Sequence, residues 1–179
     1  MKKTFIILLI MISFFNKVSA NYTQLAHNFE FKGIDGQSIK ISDYKDKVIV
    51  VVNVASRCGF TKQYEDLQNL WKNYKDNNLV VIGVPTNDFK QEPASNKDIK
   101  DFCETNFNIT FPMTSKYDVK GNNAHPIYLW AKETYGSSTV PKWNFHKILI
   151  NKDGKVEDTY ASFTNPMSKK IIKKLEQIL

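Results

Sequence analysis

The hydrophobic pattern punctuates this chain clearly. Residues 48–54 (Val-Ile-Val-Val-Val-Asn-Val) form a near-continuous run of β-branched side chains, the mark of a strand buried on both faces. Residues 79–84 repeat the pattern and predict a second buried strand. Upstream, residues 29–42 alternate apolar and polar positions about Asp35-Gly36, which predicts a β-hairpin. Between the two buried strands the period becomes helical. Tyr64, Leu67, Leu70, Trp71 and Tyr74 share one face, with Thr61 placed to cap the helix and Glu65 near its first turn.

A loop over residues 85–93 follows, and Ser95 then caps a second helix with Asp98 three residues on. Its inner side carries Ile99, Phe102, Cys103 and Phe107. Residues 126–135 predict a third helix. Residues 147–150 and 156–160 predict two strands joined by the turn Asn151-Lys152-Asp153-Gly154, and Pro166 opens a closing helix on Ile171, Leu175 and Ile178. The order is hairpin, β, α, β, α, α, β, β, α. That is an α/β chain with a central mixed sheet flanked by helices on both faces and an N-terminal hairpin, an order that a thioredoxin-like fold fits. In such open sheets the site lies at the carboxyl ends of the strands.

Composition narrows the class. With 179 residues, 42% of them hydrophobic, there is material for one well-cored domain, expected over residues 21–179. Residues 1–20 read as a secretory signal peptide. Lys2 and Lys3 precede a charge-free apolar run, and Val18-Ser19-Ala20 supplies small residues for cleavage after Ala20. The run falls short of the roughly 18 apolar residues of a spanning helix, so no stable membrane insertion is expected after cleavage. The expectation is export, to a periplasm or the exterior. The formal charge is +7, of which Lys2, Lys3 and Lys17 contribute three. The remaining lysines alternate with acids, a solvated surface rather than a nucleic-acid patch. Zinc-like cysteine spacing and a glycine-rich phosphate loop are both missing from the sequence, so neither metal nor cofactor is expected.

The chemistry centres on Cys58, one of two cysteines, at the point where the first buried strand gives way to a helix. A helix N-terminus ahead and Arg57 and Lys62 beside it favour the reactive thiolate. In an oxidising compartment Cys58 and Cys103 also suit a structural disulfide that staples a binding domain. A disulfide oxidoreductase is a third reading, although Thr61 stands where a Cys-x-x-Cys turn carries its second cysteine. A Cys–His hydrolase built on His125 or His146, with Asn144 orienting the ring, lacks a hydrolase signature around Cys58, and His27 adds nothing to it. His125, followed by Pro126, reads as a packing residue at a helix start.

Residues 53–61, Asn-Val-Ala-Ser-Arg-Cys-Gly-Phe-Thr, resemble the nucleophile motif of the glutathione peroxidases. Gln91-Glu92-Pro93, Phe111-Pro112-Met113, Asn123-Ala124-His125-Pro126 and Lys142-Trp143-Asn144-Phe145 agree with that family in order and approximate spacing. The resemblance implies that Cys58 attacks the O–O bond of a hydroperoxide and becomes a sulfenic acid. It further implies that Gln91, Trp143 and Asn144 surround the sulfur and donate hydrogen bonds to it, and that Cys103, after Phe102, is the resolving cysteine. The cycle would then close through a Cys58–Cys103 disulfide, reduced by a thioredoxin-like protein rather than glutathione, with local unwinding of the helix that carries Cys103. A glutathione-dependent one-cysteine cycle is the alternative.

The loop from Pro85 to Gln91 departs from the family pattern. It is one residue shorter, places Thr86 for Cys and Asp88 for Gln, and lacks a glycine, while Ala94 stands for another Gly. Asp88 brings a negative charge close to Gln91. The short segment between Tyr135 and Trp143 resembles the monomeric branch, whose open face accepts organic and lipid hydroperoxides as well as hydrogen peroxide.

Overall fold

The computed structural model describes residues 23–179, so the expected signal peptide lies outside the described residues. A short hairpin, β1 (Glu30–Lys32) and β2 (Ser38–Lys40), precedes a four-stranded sheet. Gly36 turns that hairpin at φ +91°, a backbone region open to glycine at little cost. The sheet runs β4-β3-β5-β6, with β3 (Val48–Val54) and β4 (Leu79–Pro85) parallel, and β5 (Lys147–Ile150) and β6 (Val156–Tyr160) antiparallel. Every residue of β3 and β4 is buried. Full burial is why their sequences lack alternation: both faces are covered.

The pleat sends alternate side chains into two cores. Val48, Val50, Val52 and Val54 meet α1 (Gln63–Tyr74), α2 (Asn96–Phe107) and α4 (Lys169–Ile178) through Tyr64, Leu67, Leu70, Ile99, Cys103, Ile171 and Leu175. Ile49, Val51, Val80 and Ile82 meet the hairpin and α3 (Pro126–Tyr135) through Phe31, Ile39, Ile127, Tyr128 and Trp130. The predicted mixed sheet with helices on both faces is found, with the same element order. Gly83 lets the Phe111-Pro112-Met113 segment cross β4 closely. Its N–H donates to the Pro112 carbonyl (2.9 Å), and a Cβ there would lie 2.4 Å from the Met113 sulfur.

Two helix starts differ from expectation. Thr61 does not cap α1, which begins at Gln63 after Lys62 with no side-chain cap. Pro166 precedes α4 rather than opening it, and Ser168 is the N-cap residue. Ser95 does cap α2, in a reciprocal pair with Asp98. His125 caps α3, accepting from the Ile127 N–H, and stacks on Phe31 with ring centroids 4.0 Å apart, the packing role expected for it.

Lys147 is the unexpected core residue, 1% exposed at the start of β5. Its ammonium donates to the Gln63 side-chain oxygen (2.5 Å) and to the carbonyls of Thr164 (2.6 Å) and Ser162 (3.4 Å). It thereby ties β5 to α1 and to the segment before α4. Burial lowers its pKa to about 7 against an ordinary 10.5, with the Asp66 charge opposing. The unfolded chain therefore holds this proton over a window in which the folded chain has released it. Stability rises with pH from about 7 towards 10.5, by at most about 1.4 kcal/mol per unit. The melting temperature is expected to climb between pH 7 and 9, and Lys147→Met to remove most of that slope. Equal slopes in both proteins would refute the assignment.

Candidate active site

The turn after β3 is built around one hydroxyl. Thr61 Oγ1 accepts the Cys58 N–H (3.0 Å) and shares its proton between the carbonyls of Cys58 (2.7 Å) and Ala55 (3.0 Å). This local bonding is why Thr61 is unavailable as a helix cap. It folds residues 55–61 so that the Phe60 N–H points at Cys58 Sγ (3.4 Å). That N–H belongs to the turn, ahead of α1, so a turn amide takes the place of the expected helix terminus. Cys58 is 8% exposed and Cys103 1% exposed, and both are free thiols in one apolar cluster.

The loop before α2 docks on this turn. The Arg57 N–H donates to the Gln91 carbonyl (3.1 Å). The buried Glu92 carboxylate accepts both the N–H and the hydroxyl of Ser56 through one oxygen (2.7 Å each), and its other oxygen has no partner among the described residues. Burial raises the Glu92 pKa; the two Ser56 hydrogen bonds and the charges of Lys116 and Arg57 oppose it. Gln91-Glu92 therefore clamps the residues immediately before Cys58. Lys90 sits at φ +60°, a left-handed conformation that costs a non-glycine residue roughly 1–2 kcal/mol. Asp88 turns away, its carboxylate accepting the N–H groups of Val119 (2.7 Å) and Lys120 (3.1 Å).

The third segment is fixed by Asn53, the polar residue inside β3. Its side chain donates to the Trp143 carbonyl (3.1 Å) and accepts the His146 N–H (3.1 Å), while its carbonyl accepts the Phe145 N–H (2.6 Å). Phe145 adopts φ +64°, an unusual conformation for a bulky residue and a sign of strain held by its surroundings. Bent this way, the segment brings Asn144 to Gln91: Asn144 Nδ2 donates to Gln91 Oε1 (2.9 Å). Asn144 is fully buried and its own oxygen has no partner among the described residues. Trp143 is 41% exposed, its ring 5.4 Å from that of Phe89.

The structure thus joins Gln91 to Asn144, sets Trp143 beside them at the surface, and seats the Gln91 backbone against Arg57. Among the described residues the hydrogen bond to Cys58 Sγ comes from Phe60, not from those three side chains. Cys103 lies inward on α2. Burial pushes its thiol up to about 12; the Tyr64 hydroxyl opposes this, while Glu92 and Glu104 add to it. His146 bonds Thr159 (2.7 Å) and His125 packs on the hairpin, so neither pairs with Cys58 as a hydrolase requires. Among the described residues no cluster of acids, histidines and cysteines suits a metal, and no helix is long and apolar enough to cross a membrane.

Asn53, Thr61 and Glu92 support the site without having been assigned to it from the sequence. Asn53 carried a signal, since a polar residue inside a fully buried strand must find partners.

Residues 26–132 match the family model described as glutathione peroxidase. Glutathione peroxidase-like peroxiredoxin 2 of Saccharomyces cerevisiae is 43% identical over 147 residues, covering 79% of this chain and 90% of its own. The hydroperoxy fatty acid reductase gpx1 of Synechocystis is 37% identical over 158 residues, covering 83% and 94%. The crystal structure of T. cruzi GPX1 superposes with a TM-score of 0.66 at 31% identity, over 87% of this chain and 96% of that one. The fold is thioredoxin-like, and the chain belongs to the glutathione peroxidase family.

Proposed function

We propose that this thiol peroxidase runs a two-cysteine cycle. The Cys58 thiolate attacks the O–O bond of a hydroperoxide, releasing water or an alcohol and leaving a sulfenic acid. Cys103 condenses with it to a disulfide, which a thioredoxin-like dithiol protein reduces. The observation that carries this reading is the joint placement of Cys58 and Cys103 in one core cluster, with the Gln91–Asn144 amide pair docked on the Cys58 turn. Gln91, Trp143 and Asn144 serve as fixed donors to the sulfur and the departing oxygen, engaging once peroxide enters. The sulfur does the redox work without metal or prosthetic group.

The half-exposed Trp143 and the short segment before it favour an open, monomeric enzyme. The likeness to the Synechocystis hydroperoxy fatty acid reductase supports lipid hydroperoxides among the substrates of this protein. The basic and apolar start of the chain supports export. The second reading, a one-cysteine cycle resolved by glutathione, gains from the deep burial and high pKa of Cys103, which hold its thiol back from reaction.

One equivalent of hydroperoxide added to reduced protein separates the readings. Both thiols should vanish, with a mass lower by two hydrogens, for hydrogen peroxide and for a lipid hydroperoxide alike. Cys103→Ser should gain one oxygen at Cys58 and lose turnover with a dithiol reductant. A wild-type adduct of one oxygen with Cys103 still free would select the glutathione reading, and no reaction at all would end the peroxidase assignment.

A further inference from the structure

Tyr64 places a hydroxyl without a hydrogen-bond partner among the described residues in the core that holds both thiols. The residue lies in the first turn of α1 and is fully buried. Its ring meets Phe145 edge-on (centroids 5.3 Å, 86°) and tilts against Phe107 (5.3 Å, 36°). Phe145 follows Asn144, and Phe107 lies one turn beyond Cys103 on α2. The ring therefore bridges the catalytic loop and the helix of the second cysteine. Its hydroxyl interacts electrostatically with Cys103 most strongly and with Glu92 and Cys58 more weakly, and it makes no hydrogen bond of full geometry among the described residues. A phenylalanine would fill this space without burying an unsatisfied polar group. The hydroxyl is thus suited to a partner that the resting thiols do not provide.

We propose that Tyr64 is a positioning residue of the resolving half-reaction: its hydroxyl donates to the Cys103 sulfur as that sulfur becomes a thiolate. The inference rests on the two-cysteine cycle proposed above. In the step, the Cys103 thiolate attacks the sulfur of the Cys58 sulfenic acid. The S–S bond forms, the S–O bond breaks, and the departing hydroxide takes up the proton that Cys103 gave away, leaving as water. Cys103 is oxidised and the Cys58 sulfenic acid is reduced to the level of the disulfide.

The electrostatics agree. The groups facing Cys103 are Tyr64 from α1, Glu92 from the preceding loop and Glu104 from α2 itself. Burial and both carboxylates disfavour its thiolate, and the Tyr64 hydroxyl favours it. A hydrogen bond to a charged sulfur is worth roughly a tenfold gain in thiolate population or more.

Rapid-quench analysis of Tyr64→Phe tests this, because the variant keeps the ring and its contacts. Oxidation of Cys58 by peroxide should keep its wild-type rate. Disulfide formation should slow by about tenfold or more, its pH midpoint should move up, and a trappable sulfenic acid should accumulate. A fluorinated tyrosine of lower pKa at position 64 should instead speed the step and lower the midpoint. Wild-type disulfide kinetics and pH profile in Tyr64→Phe would overturn the proposal. Failure of the wild-type protein itself to form the disulfide would overturn the two-cysteine cycle, and this role with it.

Discussion

Cys58→Ser is expected to reduce hydroperoxide turnover by at least about a thousandfold while leaving the fold intact. The substitution is nearly isosteric at a site 8% exposed. The turn does not depend on sulfur, since Thr61 Oγ1 holds it through backbone groups of Ala55 and Cys58. What disappears is the proposed nucleophile. A serine hydroxyl ionises far above neutral pH, and its oxygen has neither the softness of a thiolate nor a stable sulfenic acid to form. The Phe60 N–H remains in place, so the loss isolates the sulfur from its donor. Steady-state turnover with a dithiol reductant and a melting curve of the same sample give both halves of the result. Retention of a tenth of the activity would move the nucleophile elsewhere, and Cys103 would be the candidate.

The elements of this fold were legible because hydrophobic periodicity reports burial. The run at β3 and the helical stripe of Tyr64, Leu67 and Leu70 each have one reading once the surrounding elements are counted. The boundaries less visible in the sequence depend on competition for backbone groups. A threonine after an apolar strand and before a helical stripe signals an N-cap, but the same hydroxyl reaches the backbone of its own turn. Thr61 takes the second option, and with it the donor nearest Cys58 Sγ changes from a helix terminus to the Phe60 amide.

Side-chain partners across the fold are the least legible part. Lysine is a surface residue by default, and nothing local distinguishes Lys147 from the lysines of α4. Only the return of residues 162–164 and of Gln63 to its ammonium makes its burial tolerable. Glu92 stands within a recognisable motif, yet its partner, Ser56, lies 36 residues away on a different loop. Asp88 illustrates the reverse. Its charge close to Gln91 in sequence raises concern for the thiolate, and the structure spends it on the amides of Val119 and Lys120.

The amide pair gives the second large effect. Asn144→Ala is expected to lower kcat/KM by about a hundredfold, the scale of removing one fixed donor from a site that stabilises developing charge. Asn144 is fully buried and holds Gln91 Oε1 at 2.9 Å, so alanine removes a donor and frees Gln91 from its position. Stability should fall by roughly 1–3 kcal/mol as the buried polar network loses a partner. For a chain of this length that is about 2–4 °C in Tm per kcal/mol. Asn144→Asp sharpens the test, because shape is kept and the donor becomes an acceptor. Gln91 would turn its own N–H groups toward the carboxylate, and neither amide would then be left to serve the sulfur. Its kcat/KM should fall below that of Asn144→Ala even where the melting temperature is higher. An aspartate variant as active as wild type would mean that Asn144 only fills space between Asn53 and Gln91, and that the donors acting on Cys58 are the Phe60 amide and the Trp143 indole.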